Sequence, residues 1–292
     1  MEIQWQLVIF TLLNCLGAGT FGVLGLLAAF GKGTEVRLPA LVVALASLVI
    51  GGVASLFHVQ HWERIFNGFG HLSSGITQEI ICLALICIGI VVYFVVSRKG
   101  ATPKWAGWMA MVLALLLIVA MAHSYVMPSR PMWNNALLYA YYISNTVLFG
   151  SLVVALLYGL KKESSAFVVR VALVGGGLQL ITAIAYAVVI PSLADSFTAV
   201  GFYFDPTTPT KAMMDPISLF SGFLTGEYAL LFWGGALALG ALIPPVLAFL
   251  ANKKSGATLA TYAGVGVACA LAGGVAFRVV LYVLGFSVFL FY

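Results

Sequence analysis

TQEIICLALICIGIVVYFVV, from Thr77 to Val96, is a run of twenty residues carrying a single charge, Glu79, near its start. About 20 apolar residues in a helix cross the hydrocarbon core of a bilayer, because a helix rises 1.5 Å per residue and satisfies its own backbone hydrogen bonds where water is absent. The run therefore reads as a transmembrane helix, and Arg98 and Lys99 mark where it leaves the hydrocarbon.

The same reading, carried outward in both directions, finds seven more such runs. The eight spans are expected at about 5–30, 38–59, 77–96, 105–127, 134–160, 166–190, 227–250 and 259–290. The predicted fold is all-α: a polytopic integral membrane protein, an eight-transmembrane-helix bundle in a single transmembrane domain over residues 1–292. Composition agrees, since 62% of the residues are hydrophobic and 8% charged, against roughly 25% charged in soluble domains.

The net charge of +5 suggests nucleic acid in a soluble protein, but here sidedness explains it. With alternating helices, Lys32, Arg37, Arg98, Lys99, Lys104, Lys161, Lys162, Arg170, Lys253 and Lys254 fall on one side. Arg64, Arg130 and Lys211 fall on the other, and Arg278 stays inside the last helix. Cytoplasmic loops retain Lys and Arg, so the N-terminus and the C-terminus are both predicted to be outside. Most of the acids, Glu2, Glu63, Glu79, Asp195, Asp205, Asp215 and Glu227, accompany the outer side. No basic region precedes the first apolar run, which is therefore read as a permanent helix rather than a cleaved signal.

Cys15, Cys82, Cys87 and Cys269 all lie within apolar spans and show no metal-ligand spacing, so they are expected to act as small hydrophobes, with no metal. Pro244 and Pro245 are expected to kink the seventh helix. GVGVACALAGG, Gly264 to Gly274, offers small residues for close helix approach. The connection from about Pro191 to Gly226 is long enough to suggest an outer cap or docking surface, or a short helix lying at the interface.

Ionisable and polar groups collect near the outer ends of the spans. His58 ends the second helix and is followed by Arg64 and Asn67, and Glu79 begins the third. His123 and Tyr125 close the fourth, Trp133, Asn134 and Asn135 open the fifth, and Arg278 lies with Tyr282 near the end of the eighth. Charged groups are costly in lipid and mark functional sites by default. A quinol site requires hydrogen-bond partners for the ring oxygens, a proton acceptor and an apolar pocket. Histidine suits the acceptor because imidazole exchanges protons near neutral pH, and a cation such as Arg64 stabilises charge developing on the quinol oxygen. The same residues also admit ordinary readings: His58 as an interface side chain, Glu79 and Arg278 as an ion pair between helices, and LYAYYISN, Leu138 to Asn145, as an aromatic belt with packing.

Several stretches resemble the membrane-anchor subunits of bacterial dimethyl sulfoxide reductase and its relatives, a similarity running nearly end to end. They are QWQLVIFTLLNCLGAG, with Trp5, Leu7, Phe10, Thr11, Cys15 and Gly19; LFH followed by Arg64, Phe66 and Asn67, with Glu79 beyond; and Arg278 with Tyr282 in the last helix. The resemblance implies that the family's menaquinol-linked histidine falls on His58. With it, Arg64, Asn67, Glu79, His123, Tyr125 and Arg278 form the candidate quinol-binding set, although His123 stands where the family pattern has an arginine. His61 and His71 also depart from that pattern and inherit no role.

Also implied are menaquinol as substrate and menaquinone as product, with no haem and no iron–sulfur cluster in this chain. An iron–sulfur subunit and a molybdopterin catalytic subunit are the expected partners on the outer face. The chain, in a bacterial or archaeal inner membrane, then serves anaerobic respiration on dimethyl sulfoxide or a similar acceptor as an anchor without terminal catalysis of its own. Two other classes remain open: a single-haem cytochrome b anchor, for which only His58 and His123 are candidate ligands, and a secondary transporter, which predicts interrupted helices and polar groups at mid-depth.

Overall fold

The computed structural model describes residues 3–58, 61, 70–98, 100–193 and 222–285. Arg64, Asn67, Lys99 and the centre of the long connection after the sixth span lie outside the described residues.

Among the described residues, eight helices are long and apolar enough to cross a membrane: α1 (Trp5–Ala29), α2 (Arg37–Leu56), α3 (Gly75–Ser97), α4 (Lys104–Tyr125), α5 (Ala136–Leu160), α6 (Ala166–Ser192), α7 (Leu231–Ala251) and α8 (Gly256–Val283). Their outward faces carry Val42, Val49, Ile88, Val91, Val112, Leu115, Ile181 and Val188, all exposed. A soluble protein does not cover its surface with such side chains, whereas lipid solvates them. The chain is thus a multi-pass membrane protein.

Side-chain contacts fix the up-and-down order. Lys32 after α1 sits 5.4 Å from the ring of Phe167 at the start of α6, and Arg37 at the start of α2 donates to the carbonyl of Gly100 beyond α3 at 2.7 Å. This is the basic end. At the opposite end the start of α3 meets the close of α4, and α4, the α4–α5 connection and α8 converge; we call it the site end.

Helices α1 and α5 are central and buried nearly all round, and glycine lets them touch. A Cβ at Gly19 would overlap the backbone of Thr146, and one at Gly150 would overlap the backbone of Gly19. Gly240 of α7 and Gly273 of α8 form a second crossing of this kind, as the Gly264–Gly274 run leads one to expect. Without a strong hydrophobic drive between helices in lipid, such close van der Waals packing is what holds them together.

At Pro244 and Pro245, where a kink is expected, the helix changes type. Leu231–Leu242 winds as a π-helix and Ile243–Ala251 as an α-helix. A proline lacks the N–H that would continue the ladder, so the register restarts where the prolines occupy the first turn of the α-helical part.

Helices α1 and α5 end in the same motif. Gly31 donates to Ala28 and Lys32 to Leu27, and in parallel Lys162 donates to Gly159 and Glu163 to Tyr158. Both closures need a left-handed residue, supplied by Gly31 at φ 68° and by Lys162 at φ 62°. The lysine carries a Cβ penalty of about 1 kcal/mol. Lys162→Gly is accordingly expected to raise thermal stability by about 1 kcal/mol, measured as a small upward shift in unfolding temperature in detergent; an unchanged or lowered value would remove strain at this cap as the cause.

Candidate functional site

The polar side chains of the site end fall into two linked groups. Near the surface, Ser124 in the last turn of α4 donates to the Glu79 carboxyl in the second turn of α3 at 2.5 Å. Gly75 permits this approach, since a Cβ there would lie 2.8 Å from Ser124. His123 Nδ1 shares a 2.9 Å hydrogen bond with the Tyr139 hydroxyl, and its ring is exposed. The neighbouring Tyr125 turns inward, its hydroxyl 3.4 Å from that of Tyr282.

The α4–α5 connection closes over this point. Trp133 Nε1 donates to the Leu281 carbonyl at 2.8 Å, and its ring meets Tyr125 and Tyr282 edge-on with centroids 5.5 and 5.6 Å apart. Arg130 donates to the Gly285 carbonyl at 2.7 Å and its guanidinium lies 4.7 Å from the Trp133 ring. Partial burial lowers the Arg130 guanidinium from its ordinary value, an effect that Tyr282 offsets in part.

Beneath lies Arg278, 1% exposed. Its Nε donates to the Thr11 hydroxyl at 2.8 Å, Nη1 to the Gly274 carbonyl at 3.0 Å, and Nη2 to the Thr11 carbonyl at 3.2 Å and the Cys15 sulfur at 3.3 Å. Both terminal nitrogens also reach Asn145 Oδ1, at 3.4 and 3.3 Å. The rings of Tyr142 and Tyr141 lie 5.3 and 5.9 Å from the guanidinium. Helices α1, α5 and α8 thus build a cage whose acceptors are all neutral. Glu79 and Arg278 do not pair: the carboxyl is held by Ser124, and no acid contacts Arg278 among the described residues.

Tyr125, Trp133, Tyr142, Arg278 and Tyr282 line one small cavity of about 10 Å³, room for a single water. Tyr125, next in sequence to Ser124, therefore shares a cavity with the buried cation, and that cavity is too small for a quinol ring. His58 stands apart at the close of α2: its side chain is exposed and forms no hydrogen bond among the described residues. Arg64 and Asn67 lie outside those residues.

Tyr141 and Tyr142, in the run expected as an aromatic belt with packing, are at most 2% exposed and packed within the bundle, Tyr141 stacked on Phe277 at 3.6 Å. Asn145, the acceptor shared by both Arg278 nitrogens, is not singled out by its sequence context. The available signal is spacing. Thr11, Cys15 and Gly19 recur every four residues along α1, as do Tyr142, Thr146 and Gly150 along α5, which places each set on one helical face. Among the described residues no three His, Cys, Asp or Glu side chains cluster as metal ligands.

Residues 1–203 match the model of the family described as DMSO reductase anchor subunit (DmsC). The protein is also similar to the C subunit of the anaerobic dimethyl sulfoxide reductase of Haemophilus influenzae, with 31% identity over 189 residues, 59% of this chain and 67% of the relative. The matched region contains His58, Glu79, His123 and Tyr125, together with Thr11, Cys15 and Asn145 of the cage around Arg278. On this match over more than half its length, a polytopic helical chain with an arginine caged near one end of its bundle belongs to the DMSO reductase anchor subunit family.

Proposed function

We propose that this chain anchors a molybdopterin oxidoreductase complex in a bacterial or archaeal inner membrane and oxidises menaquinol at its site end, which faces outward. The observation that carries the reading is the gathering of Glu79, Ser124, Tyr125, Tyr282 and the caged Arg278 at the end of the bundle opposite the basic loops. Quinol, dissolved in the bilayer, reaches this end laterally between helices.

In this reading the ring lies at the rim between the close of α2 and the joined ends of α3 and α4. His58, whose exposed side chain has no hydrogen-bond partner among the described residues, accepts a hydroxyl proton. Arg64 and Asn67 in the following connection bind the ring oxygens, and Arg64 stabilises the oxyanion left behind. The Glu79–Ser124 pair, His123 and Tyr125 form the wall of the site, and Arg278 acts from behind them through its field. Each quinol gives up two protons and two electrons; the protons leave on the outer side. The electrons pass to an iron–sulfur partner subunit and on to a molybdopterin subunit, where dimethyl sulfoxide or a similar acceptor is reduced. The anchor performs no terminal catalysis.

The test is a variant pair in the assembled complex. His58→Ala is expected to abolish quinol-linked turnover, a loss on the order of 100-fold or more for a missing general base, while turnover with a soluble artificial donor persists. Arg64→Ala is expected to weaken quinol-linked turnover less completely. Equal loss of both activities in His58→Ala, with all subunits present, would exclude His58 from the quinol step.

A further inference from the structure

The basic end holds a cleft that the quinol reading does not use. It lies between the start of α2 and the end of α3, has a volume of about 230 Å³, and is walled by Arg37, Leu38, Leu41, Phe94, Ser97 and Arg98. Helices α2 and α3 pack against α1 and α4 respectively and only sparsely against each other, so the cleft opens onto the lipid-facing side of the bundle.

Its walls are of two kinds. Arg37 is fixed by the hydrogen bond from Nη1 to Gly100, which leaves Nε and Nη2 without an acceptor among the described residues. The Arg98 guanidinium lies 5.7 Å from the Phe94 ring and makes no hydrogen bond among those residues. Neither arginine is ion-paired among the described residues. Beside these two cations stand Leu38, 58% exposed, and Phe94, 40% exposed, with Leu41 and Ser97 buried behind them.

We propose that this cleft binds an anionic phospholipid, its phosphate between Arg37 and Arg98 and its first acyl chain against Leu38 and Phe94. The argument is charge complementarity at a defined depth. Two guanidiniums without a counter-charge among the described residues sit where spanning helices leave the hydrocarbon, at the level of lipid headgroups. Basic clefts between helices are suited to anionic headgroups there, and the attraction amounts to about fivefold in affinity for each cation. A soluble anion would use the arginines but leave the adjoining apolar wall exposed. The inference does not depend on the quinol reading, and in the orientation proposed above it places the lipid in the cytoplasmic leaflet.

The assembled complex in nanodiscs tests it, with spin-labelled phosphatidylglycerol and phosphatidylcholine as probes of the immobilised lipid fraction. The wild type is expected to favour phosphatidylglycerol by about 10-fold or more, and the R37Q/R98Q variant to lose that preference. R98Q alone, which removes no hydrogen bond among the described residues and gives up only the contact with the exposed Phe94 ring, should weaken it about fivefold. K253Q/K254Q, at the same end but outside the cleft, should retain it. An unchanged preference in R98Q and R37Q/R98Q, an equal loss in K253Q/K254Q, or full displacement of the lipid by millimolar inorganic phosphate would each overturn the proposal. The first and second would point to general surface charge, the third to a site for a free anion.

Discussion

Arg278→Met is expected to leave the complex folded, with nearly unchanged thermal stability, while quinol-linked turnover falls by about 30-fold. The stability half follows from what the cage contains. A cation buried in a membrane bundle is expensive, and this one is repaid by hydrogen bonds to neutral acceptors with no counter-charge. Methionine fills similar space without the desolvation cost, and such replacements are often neutral or stabilising. Against this, Asn145 Oδ1 loses its donors, at about 1–3 kcal/mol. The carbonyls of Thr11 and Gly274 remain within helices. These opposing effects are of similar size.

The functional half follows from the field. For the quinol site proposed above, a unit charge taken at roughly 8 Å from the oxyanion contributes about 2 kcal/mol at an effective dielectric near 20, which is about 30-fold in rate. Arg278→Lys keeps the charge but not the planar fork that reaches Thr11 and Asn145 together, so its turnover should lie between the two. Steady-state turnover with a quinol analogue, a soluble-donor control and an unfolding curve are the measurements. Methionine turnover equal to wild type would reduce Arg278 to a structural clamp.

The eight spans are legible because hydropathy along a membrane helix is a one-dimensional signal, and even the restart at Pro244 and Pro245 follows from a missing donor. Faces are not legible in the same way. In a soluble protein the polar stripe of a helix shows which side is outward; here lipid and core are both apolar, and Val42, facing outward, looks like Leu41, facing inward. Tyr141 and Tyr142 read as a belt with packing for that reason, and it is the packing beside Arg278 that the bundle realises. Glu79 is legible as a costly group at a helix start, but its partner Ser124 is not, because a serine in an apolar run ordinarily bonds back to its own helix. Thr11, Cys15 and Asn145 are individually ordinary residues, and they become a site only when α1, α5 and α8 meet.

That meeting depends on two glycines, which makes Gly150→Leu the variant with the largest expected effect on stability. A side chain at Gly150 would run into the backbone of Gly19, with no flexible group to move aside. Overpacking a well-filled core costs about 1–3 kcal/mol where side chains can yield; against backbone the helices themselves must separate. Thr11 and Cys15 lie two turns and one turn from Gly19, and Asn145 lies five residues from Gly150. Parting α1 from α5 therefore also opens the cage around Arg278 and leaves a cation in the bundle with fewer acceptors. The two losses compound, and the expected result is near-absence of folded anchor from the membrane, with no assembled complex retained. Gly177→Leu provides the contrast, since a Cβ there meets nothing within 4 Å and the side chain projects into open space; its yield and unfolding temperature should match wild type. Comparable loss in both variants would attribute the defect to leucine in a glycine-rich helix rather than to the α1–α5 crossing. Wild-type yield in Gly150→Leu would mean that this crossing does not set the position of the cage.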